Sequence, residues 1–142
     1  MDIFSALRSD HEKQRLLIQA LVSTTGDSSS RRDFFEDLKS QLTQHSAAEE
    51  RYFYAPLMKL DATIEISRHG IAEHHEIDEL LEKLEETDMS SPVWLKTMKD
   101  LEHKVLHHLK EEEKSFFQQA GKYLDATQKQ ELASQYQAEM AN

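Results

Sequence analysis

No cysteine occurs in the chain, which excludes disulfides, thiolate metal sites and thiol catalysis together. Glycine and proline are scarce, at 3 and 2 residues, so helices can run long with few breaks. No apolar run approaches the roughly 20 residues that span a bilayer. The opening segment, MDIFSALRSDHEK, lacks the basic stretch followed by an apolar block that marks a secretory signal, so a cytoplasmic location is expected. Basic residues are also short: 17 against 27 acidic ones, for a net charge of −10. A surface of that sign repels phosphate backbones and anionic headgroups, and the lysines and arginines are scattered. Neither nucleic acid nor a membrane is therefore expected as a partner.

What the sequence does have is helical periodicity from end to end. Its 142 residues suit one domain, 1–142, with one sizeable core. A first helix is predicted from about Asp2 to Ser23, with Ile3, Phe4, Leu7, Leu17, Ile18 and Leu21 on one face. TTGDSSS (24–30) is a loop, and a second helix runs to about Leu60, where Pro56 should kink or end it. A third spans about Ala62 to Thr87. Ser91 and Pro92 fit the N-cap and first position of a fourth helix that runs to about Gln119. Asp125 or Thr127 can cap a short fifth helix ending near Met140. Four long helices joined by short loops predict an all-α, up-down-up-down four-helix bundle with a short additional C-terminal helix. The apolar residues of that last helix, Leu132, Tyr136 and Met140, would cover the bundle or mediate dimerisation.

Eight histidines are the unusual feature, and four of them repeat. His11 maps onto His74, His45 onto His108 and Glu49 onto Glu112, each at an offset of 63 residues. Asp10 and Glu73, Glu50 and Glu113, and several core positions follow the same offset. Residues 1–60 and 61–120 thus read as an internal pseudo-repeat. Helix geometry separates the histidines. His108 shares its face with Leu101, Val105 and Glu112, and His74 with Ile71, Ile77 and Leu81. His107, His75, His69 and His103 fall on mainly polar faces.

Residues four apart on a helix share a face, so His45 aligns with Glu49 and His108 with Glu112. Two ionised carboxylates buried among apolar residues would cost several kcal/mol each if left unpaired, and no lysine or arginine lies on those inner faces. A pair of cations resolves this, with the carboxylates bridging and the imidazoles capping. His11, His45, Glu49, His74, His108 and Glu112 are the candidate metal ligands. Nitrogen and oxygen donors without sulfur favour iron or manganese, with zinc as an alternative, and leave positions open for an oxo or hydroxo bridge and an outside ligand. The Glu-x-x-His spacing of ferritin-like carboxylate bundles is absent.

The segments SDHEKQRLLIQAL, QHSAAEERYFYAPL, AEHHEIDELLEKL and HHLKEEEKSFF together resemble the hemerythrin-like family, in its HHE-type cation-binding branch, over essentially the whole chain. The resemblance implies a non-haem di-iron centre with Glu49 and Glu112 as bridging carboxylates. It departs from oxygen-carrying hemerythrins in two places. Gly70 stands where those carry a further histidine, and HxxxE stands where they have HxxxxD. Reversible oxygen transport is thereby in doubt, and Gly70 is expected to leave room for water or a small ligand.

Around the site, Tyr52, Phe53, Tyr54, Phe116 and Phe117 are expected to pack and limit water entry. Glu50 and Glu113 are expected to be hydrogen-bond partners or solvated, Asp10 and Glu73 to face solvent, and Trp94 to pack in the core. The expected chemistry is binding of, or reaction with, oxygen, peroxide or nitric oxide at the dinuclear centre. The alternative is an iron- or oxygen-responsive binding module, or an iron donor or store. The sequence leaves open whether the protein is an enzyme and which protein partner it has.

Overall fold

Capping side chains set most of the helix starts. In the computed structural model, which describes residues 1–142, there are five helices and no strand. Helix α1 (Ile3–Val22) opens on Asp2, whose carboxylate accepts the Ser5 N–H. Helix α2 (Ser29–Glu49) opens on Ser28 and continues through a π-helical turn (Glu50–Tyr54) into a last α-turn (Ala55–Leu57). Helix α3 covers Ile64–Glu86. Helix α4 (Pro92–Glu111) has Ser91 as its cap, and continues through a second π-helical turn (Glu112–Phe116) to Phe117–Gly121. Asp125 and Gln128 form a reciprocal capping box at the start of α5 (Ala126–Met140). The expected boundaries hold to within a few residues; α2 ends at Leu57, just after Pro56.

The π-turns are not visible in the periodicity. Each begins at or beside a ligand-candidate glutamate, at Glu50 just after Glu49 and at Glu112 itself. A π-turn widens the helix by one residue per turn and is common at functional sites.

Helix α1 packs on α2, α3 packs on α4, and α5 lies against α1 and α2. The apolar residues fall into two separate clusters. One contains Ile3, Leu7, Phe53, Tyr54, Leu57, Phe117 and Tyr136. The other contains Ile18, Leu38, Leu81, Trp94, Met98 and Leu101. Between them lies a layer of buried histidines and carboxylates. Trp94 is fully buried, as expected from the sequence. Its ring is covered by the guanidinium of Arg31, 4.6 Å away, which also donates to the carbonyls of Thr24 and Met89 and so ties two loops together. No helix is long and apolar enough to cross a membrane.

Candidate metal centre

Four helices bring the six candidate ligands into the middle layer: α1 supplies His11, α2 His45 and Glu49, α3 His74, and α4 His108 and Glu112. All six are at most 2% exposed, whereas His69, His75, His103 and His107 are exposed. The inside–outside division of the histidines is therefore as the helix faces predict. Every inward Nε2 points at a glutamate. His74 Nε2 lies 2.9 Å from Glu49 Oε1, and His11 Nε2 lies 3.2 Å from Glu112 Oε1. His45 Nε2 is 3.5 Å from Glu49, and His108 Nε2 is 3.4 Å from Glu112. Two ligand sets result, one of His11, His45, Glu49 and Glu112, the other of Glu49, His74, His108 and Glu112. Both glutamates belong to both sets, and within each set the ligand atoms lie within 4.8 Å of one another.

The outer nitrogens explain why the inner ones are free. His11 Nδ1 is 2.7 Å from Glu113, His74 Nδ1 is 2.8 Å from Glu50, and His108 Nδ1 is 2.7 Å from Glu73. The fourth has an intermediary: the Tyr136 hydroxyl donates to Asp10 at 2.5 Å, so it accepts from His45 Nδ1, also at 2.5 Å. A carboxylate behind three of the Nδ1 atoms, and the Tyr136 hydroxyl behind the fourth, holds the proton there and leaves the Nε2 lone pair directed at the centre. Two acceptors then face each other. All four Nε2 atoms, both oxygens of Glu49 and Oε1 of Glu112 are buried without a hydrogen-bond partner. Orphaned buried acceptors at this density are costly, and cations seated between them satisfy them together. The residues fit a pair of metal ions.

Without metal, protons must compensate instead. Burial works against charge on His74 and His108, but hydrogen bonds and the charges of Glu49 and Glu112 outweigh it and raise them to about 9 and about 10. His11 is likewise raised well above its ordinary value by Glu112, Glu113 and Glu49, against the cost of burial. At pH 7, metal uptake is therefore expected to release about three protons, from His11, His74 and His108. Calorimetry of metal binding in buffers of differing ionisation enthalpy measures this count, and zero release would show neutral imidazoles in the metal-free protein. The sign for stability follows the same shifts. Raised histidine values stabilise the metal-free fold below about pH 6.5, and that contribution drains away as pH rises through about 9 to 10.

Three sequence-based expectations change here. Asp10 and Glu73 do not face solvent; they are 6% and 4% exposed and stand behind His45 and His108. The reason is visible in the repeat. Glu73 reaches its histidine directly, whereas Asp10, one methylene shorter, reaches it through Tyr136. Tyr136 is the functional residue that sequence reasoning missed, since it sits in an apolar stripe 126 positions from Asp10. Tyr136→Phe is expected to keep the fold but weaken metal binding by roughly 10–100-fold, read by competition against a chelator. Unchanged affinity would mean that His45 is oriented by something else.

The third correction concerns Gly70. It leaves no vacancy, because the ring of Tyr54 fills the space: a Cβ on Gly70 would lie 2.2 Å from Tyr54 Cζ. The Tyr54 hydroxyl donates to Glu112 Oε2, and burial together with the charges of Glu112 and Glu49 raises its pKa, so it keeps its proton. Tyr54 is thus both packing and a hydrogen-bond donor to the centre. Glu50 and Glu113 are hydrogen-bond partners as expected, and Phe117 stacks on His11 at 5.9 Å.

The chain is similar to known proteins in sequence pattern and in shape. The family profile described as hemerythrin, Hemerythrin HHE cation binding domain, matches residues 2–120. A DNA nickase from Nostoc sp. is 25% identical over 138 residues, which are 97% of this chain but 39% of that protein. The chain thus spans about two-fifths of the length of that relative. A hemerythrin HHE cation binding domain-containing protein from Mycobacterium kansasii superposes with a TM-score of 0.89, covering 99% of this chain and 86% of that one. At 20% identity, that likeness shows the fold alone.

Proposed function

The chain belongs to the hemerythrin HHE cation binding domain family, and from that premise we propose that it is a non-haem di-iron protein that binds or reacts with oxygen, peroxide or nitric oxide. One observation carries the reading: four imidazoles, each pinned from behind, present free Nε2 atoms to two glutamates shared between two ligand sets. His11 and His45 would hold one ion, His74 and His108 the other, and Glu49 and Glu112 would join them. Manganese or zinc suit the same donors less specifically. When bound, such a pair supplies a redox-active Lewis acid with positions open to a small molecule.

The chain's own residues set the conditions for that chemistry. Burial of all six candidate ligands keeps bulk water away from them. Tyr54 holds a proton on a hydroxyl directed at Glu112. The helix pairing supports an up-down-up-down bundle built from two related hairpins, 1–60 and 61–120, within a single domain of 142 residues. Storage or donation of iron is the weaker reading, because residues this deeply buried and pinned release metal slowly. DNA chemistry is not carried over from the Nostoc relative: the shared part is 39% of that protein, and a net charge of −10 repels phosphate.

Elemental analysis of fresh protein is expected to give about two irons per chain, with near-ultraviolet bands of a ferric pair in air. The iron-loaded protein is then expected to consume hydrogen peroxide, and His108→Ala to lose both iron and turnover. Absence of iron after anaerobic ferrous loading would overturn the reading.

A further inference from the structure

The pseudo-repeat is broken in one place that the inner centre does not use. Behind His45, the position of Asp10 is closed over by α5, with Ala6 and Ala48 beside it, both buried. At the offset of 63, Ala6 becomes His69 and Ala48 becomes Glu111. No counterpart of α5 covers this second half. His69 and Glu111 therefore stand at the surface directly outside Glu73, the carboxylate that holds His108.

We infer that His69, Glu73 and Glu111 form an outer site for one divalent transition-metal cation, linked to the inner centre through the shared carboxylate of Glu73. His69 Nε2 lies 2.8 Å from Glu111 Oε1 and 3.4 Å from Glu73 Oε1, and the three ligand atoms lie within 4.8 Å of one another. The donor set is one imidazole and two carboxylates, with solvent available for the remaining positions, which suits manganese, iron, cobalt or zinc. One further feature favours an ion over a simple ion pair. Glu111 Oε1 is buried with no hydrogen-bond partner although an imidazole nitrogen is 2.8 Å away, the same signature as the inner ligands. Glu73 is 4% exposed, and its Oε1 faces His69 from inside the protein while also accepting from His108 Nδ1 at 2.7 Å, so one oxygen joins the two sites. The ring of Phe116, edge-on to His69 at 5.8 Å, fixes its orientation. Lys104 pairs with Glu76 and approaches Oε2 of Glu73 at 3.8 Å, away from the oxygen toward His69.

The placement gives the outer site a purpose. It is open to solvent, while the inner ligands are sealed, and its Glu73 is the carboxylate that holds His108 of the inner set. An ion captured at His69 stands one residue's width from His108, where it can wait before entry. The existence of the outer site does not depend on what the inner centre holds; the role in entry rests on the function proposed above.

The test is equilibrium dialysis of the protein, loaded at its inner centre, against Co²⁺. About one additional cobalt per chain is expected. His69→Ala, at an exposed position, is expected to weaken that binding at least roughly tenfold, with inner metal content unchanged, while His107→Ala leaves both unchanged. No additional cobalt, or equal cobalt in His69→Ala, would overturn the proposal. If the inner centre proves to hold no metal, the functional reading fails, and the cobalt that depends on His69 still decides the outer site.

Discussion

Glu49→Gln is expected to abolish the difference in stability between metal-loaded and chelator-treated protein. Glu49 belongs to both ligand sets, and both of its oxygens are buried without partners. An amide of the same shape keeps the packing but brings only one acceptor and no charge. Ligand bound to the native state alone stabilises by about 4 kcal/mol at a thousandfold excess over its dissociation constant, roughly 10–15 °C in melting temperature for a chain of this size. That gap is expected in the parent protein and should collapse in the variant, with metal content falling alongside it. Thermal melts with and without chelator, paired with elemental analysis, provide both readings. A variant that keeps its metal and its gap would remove Glu49 from the ligand set.

Gly70→Ala is expected to destabilise the protein by about 3 kcal/mol, a large effect for one methyl group on a helix, where alanine is normally the better residue. The new Cβ would meet Tyr54 at 2.2 Å from Cζ, 2.3 Å from the hydroxyl oxygen and 2.7 Å from Cε1. Tyr54 cannot swing aside freely: it is fully buried, with Phe53 at 5.0 Å and His74 at 5.8 Å between ring centroids. Relief of the clash would also pull its hydroxyl away from Glu112. The two positions should therefore be strongly non-additive. In a Tyr54→Ala background, the same Gly70→Ala change is expected to cost little, as measured by denaturant unfolding. Additive effects would mean that the clash is absorbed elsewhere.

The helices, their order and the inward placement of the six candidate ligands were legible in the sequence because each depends on local rules: periodicity of 3.6, capping residues, and the i, i+4 relation of His45 to Glu49 and His108 to Glu112. The offset of 63 added long-range information that a single sequence rarely offers. What escaped the reading lies one layer further out, where contacts join distant segments. Glu73 sits next to an inward histidine and was expected at the surface, yet its side chain turns inward to a different histidine on the neighbouring helix. Asp10 behaves alike, but only because Tyr136 arrives from α5. Gly70 suggested a hole because a missing side chain is visible in sequence and the ring that replaces it, from Tyr54, is not. The π-turns at Glu50–Tyr54 and Glu112–Phe116 leave no mark on hydropathy, since they shift the phase of a helix by only one residue.

The two apolar clusters described above do not touch through apolar contacts; a slab of imidazole and carboxylate separates them. Hydrophobic burial therefore gives each end of the bundle its own reason to fold, and gives the two ends little reason to fold together. Cooperativity across the slab falls to the ions and to the hydrogen bonds that surround them. The loaded protein should open its backbone amides as one unit, and the stripped protein as two, with the end around Trp94 and Leu101 closing independently of the end around Phe53 and Leu57. Amide exchange that remained a single unit after stripping would show that the helices alone transmit folding from end to end. On this account the layer of imidazoles and carboxylates is the seam of the molecule as much as its candidate metal centre.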